Sequence, residues 1–139
     1  MYYYNLVVQQ RMTDRCASIR IFDYPLGRPP HNEERSLAAE KEKALQGQPS
    51  DGVTAAVDAA AAAIEEDGAE VITFGCSGTF WLQPFVRAGL LERGWDVPVL
   101  EGYSCAITQA KTMVDLGVDA SGLLFPADRP ARVRMRKTF

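Results

Sequence analysis

The run Glu70-Val71-Ile72-Thr73-Phe74-Gly75-Cys76-Ser77-Gly78-Thr79 constrains the fold more than any other stretch of the chain. Its β-branched and aromatic residues suit an extended strand. The strand ends at Gly75, and a cysteine then opens a turn of small residues ahead of the next helical segment. That order places one thiol at the C-terminal tip of a strand, the edge at which open α/β sheets bind ligands. A following helix N-terminus carries free N–H groups and partial positive charge, both of which favour thiolate over thiol. A thiolate held there serves as a nucleophile or as a base.

The segment before this run is the clearest helix. Val53, Ala56, Val57, Ala60, Ala61 and Ile64 fall on one apolar stripe at helical spacing. Ser50 or Asp51 suits its N-cap and Gly68 its C-cap, so a helix is predicted over residues 53–67. The alanines at 59–63 predict close packing of that helix on a sheet. After the cysteine turn come a helix over about 80–92 ended by Gly94, a strand over 96–100 and a helix over about 104–116 ended by Gly117. The last of these sets Ala106, Ala110, Met113 and Val114 on one face, and residues 121–125 read as one more strand.

Upstream, residues 4–10 read as a helix, and 16–22 alternate polar with apolar and read as a strand. Residues 26–32, with Gly27, Pro29 and Pro30, read as a loop. A polar helix is predicted over 34–45. Strands alternating with helices imply an α/β fold with a mostly parallel sheet flanked by helices. With no linker and no repeat, residues 1–139 read as a single α/β domain ending in a basic, loose tail at 127–139.

Composition narrows the function classes. The net charge of −3 gives no nucleic-acid signature. No apolar run reaches the roughly 18–20 residues that span a bilayer, and the start lacks a signal peptide's charged and apolar regions. The expectation is a cytoplasmic protein without membrane or nucleic-acid partners. Three cysteines, Cys16, Cys76 and Cys105, are too few and too irregular for a disulfide framework or a zinc pattern, so no metal is expected. The only histidine, His31, lies in a proline-flanked segment and reads as an exposed loop residue, which argues against a catalytic Ser-His-Asp or Cys-His set. Cys16 and Cys105 read as packing residues.

Two further stretches complete the picture: Asp96-Val97-Pro98-Val99-Leu100-Glu101-Gly102, and Leu116-Gly117-Val118-Asp119-Ala120-Ser121 after the alanine-bearing helix. With Gly68 to Thr79 and with Asp14 to Arg20, they resemble the aspartate/glutamate/hydantoin racemase superfamily, its hydantoin racemase branch most. The resemblance covers about residues 14–126 and corresponds to the C-terminal half of a two-lobed fold. It implies cofactor-independent racemisation at a carbon next to a carbonyl. Cys76 is then the acid/base, and Ser77, Gly78 and Thr79 hold the substrate carbonyl or carboxylate. Glu101 lies close to the site or serves as N-cap partner of the next helix. The lobe that carries the family's other cysteine has no counterpart here. The chain is therefore a truncated form or a half that pairs with another subunit, expected as a homo-oligomer with weak or no racemase activity alone. Tyr2 to Tyr4 mark an interface or a cut edge. The competing readings are a one-cysteine lyase like arylmalonate decarboxylase, which reprotonates from one face, and a non-catalytic half-domain that associates with a partner.

Overall fold

The computed structural model describes residues 2–22, 24–25 and 35–117. His31, the predicted strand at 121–125, the basic tail and the whole predicted loop at 26–32 lie outside the described residues. The elements are α1 (Tyr2–Gln9), a 3-10 turn (Thr13–Arg15), α2 (Leu37–Leu45), α3 (Asp51–Asp67), β1 (Ile72–Thr73), a 3-10 helix (Ser77–Leu82), α4 (Gln83–Glu92), β2 (Val99–Leu100) and α5 (Gly102–Asp115). The chain divides into two compact units, Met1–Cys105 and Ala106–Phe139. The first holds the core and the sheet. Of the second, the described residues comprise the later turns of α5 and the two residues beyond it.

The architecture is α/β: β1 and β2 pair in parallel, with Ile72 opposite Val99 and Thr73 opposite Leu100. Among the described residues the sheet has these two strands alone. Residues 16–22 do not form the predicted strand. Cys16 is extended at φ −101°, ψ 100°, but an alternating segment becomes a strand only when a neighbour offers backbone partners. This segment is tied by a side chain instead. Arg20 donates to Asp67 at 2.6 Å and to Glu66 at 2.7 Å, and these bonds raise the guanidinium's affinity for its proton. Acidic residues at a helix C-terminus oppose its dipole, so Arg20 compensates the end of α3.

α3 forms where its pattern predicts. Ser50 caps it, its hydroxyl accepting from the Val53 N–H at 3.2 Å. Gly68 ends it in the left-handed conformation at φ +71°, which a residue with a Cβ adopts only under strain. Ala56, Val57, Ala60, Ala61 and Ile64 are buried as expected, while Val53 is half-buried. The small-residue face serves a different approach from the one predicted. α3 packs chiefly on α4 and then on α2, and Gly89 of α4 brings its backbone so close that a Cβ there would lie 2.7 Å from Val57 Cγ2. The close approach on this face is therefore between helices, at Val57 and Gly89.

α4 begins later than predicted because of Pro84. Its missing N–H cannot bond the Phe80 carbonyl as a continuous α-helix requires. The Phe80 carbonyl accepts from the Gln83 N–H instead, the preceding turn tightens to 3-10 geometry, and the proline occupies the first turn of α4, where it is tolerated. Leu82 at the end of the 3-10 helix and Val86 and Leu90 of α4, exposed by no more than 1%, anchor the two in the core, each contributing about 1.5–3 kcal/mol of burial. None of α5's residues is buried, so its predicted apolar face does not pack as a core stripe.

The junction of α2 with α3 is sealed by Glu40, 2% exposed. Its carboxylate accepts from Lys43 Nζ at 2.6 Å, the Ser50 hydroxyl at 2.8 Å and the Gly52 N–H at 3.0 Å. Burial is the largest single influence on this carboxyl and opposes its charge. The three hydrogen bonds together outweigh it and hold the group down to about 2. This charge sits on the positive end of α3.

Candidate functional site

Parallel pairing brings two chain segments out at one sheet edge. Beyond β1 the chain runs through Phe74 and Gly75 to Cys76, and directly beyond β2 comes Glu101. Both lie past the carboxyl ends of their strands, the position expected for ligand chemistry in a parallel sheet.

Cys76 precedes the 3-10 helix in extended conformation, φ −122°, ψ 131°, the backbone geometry of an N-cap, yet its side chain caps nothing. Its carbonyl accepts from the Thr79 N–H at 3.1 Å and from the Thr79 hydroxyl at 2.6 Å. That first return bond belongs to Thr79, so the amides of Ser77 and Gly78 precede it and lack a partner in the turn. Ser77 and Gly78 are exposed, Cys76 is half-buried, and Thr79 is buried. The turn therefore presents a thiol and two backbone donors, while the threonine braces it from within.

Two contacts fasten this turn to its surroundings. Gln83 Nε2 donates to the Val99 carbonyl at 3.0 Å, tying the start of α4 to β2. The Phe80 ring meets Tyr103 edge to face at 5.5 Å between centroids, joining the turn to the start of α5. A third contact involves α1. A Cβ at Gly75 would lie 2.9 Å from Tyr3 Cε1, so the Tyr3 ring packs closely against the residue before the thiol. Of the tyrosines read as marking an interface or a cut edge, Tyr3 makes this contact within the chain and stays 39% exposed.

Glu101 is 8% exposed. Its carboxylate accepts from the Tyr103 N–H at 2.8 Å and the Ser104 N–H at 2.5 Å. Hydrogen bonding by Ser104 leads the influences that lower its proton affinity, ahead of the opposing effect of burial. This is the geometry of the N-cap partner, one of the two roles read for it from sequence. The structure thus gathers Cys76, Ser77, Gly78 and Thr79 in one turn and sets Glu101 at the end of the neighbouring strand.

Of the other cysteines, Cys105 differs from its packing reading. Cys105 is exposed in the first turn of α5 rather than packed in a core. Cys16 is half-buried, its thiol facing the Ser18 carbonyl at 3.6 Å. Sequence reasoning missed Tyr3, whose contact with Gly75 spans most of the chain length between α1 and β1. It also missed Glu40, which the polar pattern of α2 marked only as a surface residue. No local signal reports a ten-residue reach from a helix to the next helix's cap. No helix among the described residues is long and apolar enough to cross a membrane.

Over 61 residues the chain is 43% identical to the hydantoin racemase of Pseudomonas sp. (strain NS671). The matched stretch is 44% of this chain and 22% of that protein, so the chain spans about a fifth of the curated relative it matches. No family model matches the sequence, and no solved structure matches it. The match supports a partial, racemase-like relationship.

Proposed function

We propose that the chain carries the cysteine half-site of a cofactor-independent racemase acting on hydantoin-like or amino-acid-like substrates. The observation that carries this reading is Cys76 in an uncapped turn at the carboxyl edge of a parallel strand pair, in a chain with partial identity to a hydantoin racemase. The Cys76 thiolate removes the proton from a carbon next to a carbonyl, and the electron pair moves into an enolate. The amides of Ser77 and Gly78 stabilise the enolate oxygen. A positioned base of this kind contributes about 10²–10⁴-fold to such a step. Thr79 braces the turn, and Glu101 holds the start of α5 beside it.

One thiol serves one face of the carbon. Inversion needs a second acid on the opposite face, which a second subunit supplies if the chain works as a homo-oligomer. Chiral chromatography of an enantiopure 5-substituted hydantoin tests the proposal. Racemisation above the buffer rate that vanishes in Cys76→Ala supports it. Equal rates of both racemisation and Cα exchange in the two proteins overturn it. If Cα exchange occurs without inversion, the one-cysteine chemistry of a lyase becomes the better account, and release of carbon dioxide from an arylmalonate distinguishes it.

A further inference from the structure

A second feature of the first unit is a cleft of about 420 Å³ lined by α2, the 3-10 helix, the start of α4 and the start of α5. Its size falls within the range of small-molecule sites. Leu45, Phe80, Trp81 and Pro84 are among the residues that line it, and its two charged groups are Lys41 and Glu101. Leu45 is 61% exposed and Phe80 43% exposed, so the apolar walls are accessible, whereas Trp81 is buried.

Lys41 and Leu45 stand one helical turn apart, and that spacing presents both on one face of α2. The two charges differ in how they are used. Both oxygens of Glu101 are occupied by the amides of Tyr103 and Ser104. Lys41 forms no ion pair with a carboxylate among the described residues, and its ammonium rests 5.6 Å from the Phe80 ring centroid. The neighbouring Lys43 instead turns to Glu40. An ammonium on an aromatic wall, with three donors and no anionic partner, recognises an anion whose remaining surface is apolar.

We propose that this cleft binds a small carboxylate bearing an aromatic or apolar group, with Lys41 on the carboxylate and Phe80, Pro84 and Leu45 on the apolar part. The site goes beyond the thiol chemistry, since Cys76 does not line it.

Phenylacetate and its neutral isostere phenylacetamide are the probes, followed by tryptophan fluorescence and by amide chemical shifts of the cleft residues. The expected result is saturable, millimolar binding of phenylacetate, with phenylacetamide about tenfold weaker because the charge-assisted bond is lost. Lys41→Met weakens phenylacetate at least about fivefold, while Lys41→Arg stays within about twofold and Lys111→Gln has no effect. The Arg variant and the neutral probe keep the test decisive if the Met variant fails to fold. Absence of saturation, equal affinity for the two probes, or binding undiminished by Lys41→Met overturns the proposal.

Discussion

Two helix starts in this protein are built from the same backbone and finished in opposite ways. At the start of α3, Ser50 caps Val53 and the buried Glu40 accepts from both Ser50 and Gly52. At the start of the 3-10 helix, Cys76 holds N-cap geometry and caps nothing. One terminus engages its donors inside the chain, whereas at the other the amides of Ser77 and Gly78 precede the first return bond of the turn. The start of α5 sides with the first, since Glu101 accepts from Tyr103 and Ser104. Capped termini add stability. The uncapped one, at the carboxyl edge of the sheet, is the terminus to which the proposed function assigns the substrate.

Removing the seal should produce the largest loss of stability. Glu40→Ala leaves the Ser50 hydroxyl and Gly52 N–H without their buried acceptor and is expected to destabilise by about 2–4 kcal/mol in urea unfolding. A loss under about 0.5 kcal/mol would mean the seal is ornamental. The pH dependence follows with its sign fixed. Folding lowers the Glu40 pKa from 4.5 to about 2, so its contribution is fully present above about pH 4.5 and is lost as pH falls toward 2. The loss should reach about 2–3 kcal/mol, and a pH titration of unfolding midpoints should show the slope flatten in Glu40→Gln.

Smaller effects sharpen the contrast. Ser50→Ala removes a cap and a donor to Glu40 and should cost about 1–2 kcal/mol by thermal unfolding. Capping the open terminus should act in the opposite direction. Cys76→Asp places a carboxylate at an N-cap with suitable φ and ψ and should gain about 0.5–1 kcal/mol while abolishing thiol chemistry. If this variant is less stable than wild type, the turn is not the unfinished terminus described.

Much of this was readable in the chain. Ser50 and Gly68 marked the ends of α3, and the strand–glycine–cysteine order marked β1 and its turn, because these signals are local. Residues 16–22 misled because alternation specifies a half-buried extended chain, whereas a strand requires a partner that the segment itself does not supply. Pro84 was a local signal, yet its effect on where α4 begins depends on the Phe80 carbonyl it fails to bond. Cys105 read as a core residue from its type, but α5 leaves it exposed. Glu40, Lys41 and Tyr3 owe their surroundings to segments distant in sequence, so one-dimensional patterning could not assign them.

The central claim is that the uncapped turn makes Cys76 a working base. Cα proton–deuterium exchange of 5-benzylhydantoin in D₂O, followed by NMR for wild type and Cys76→Ala, tests it directly. The account predicts exchange above the buffer rate in wild type and a fall of about 10²–10⁴-fold in the enzyme-dependent rate of the variant. Exchange at the buffer rate in wild type, or equal exchange in the two proteins, would contradict it.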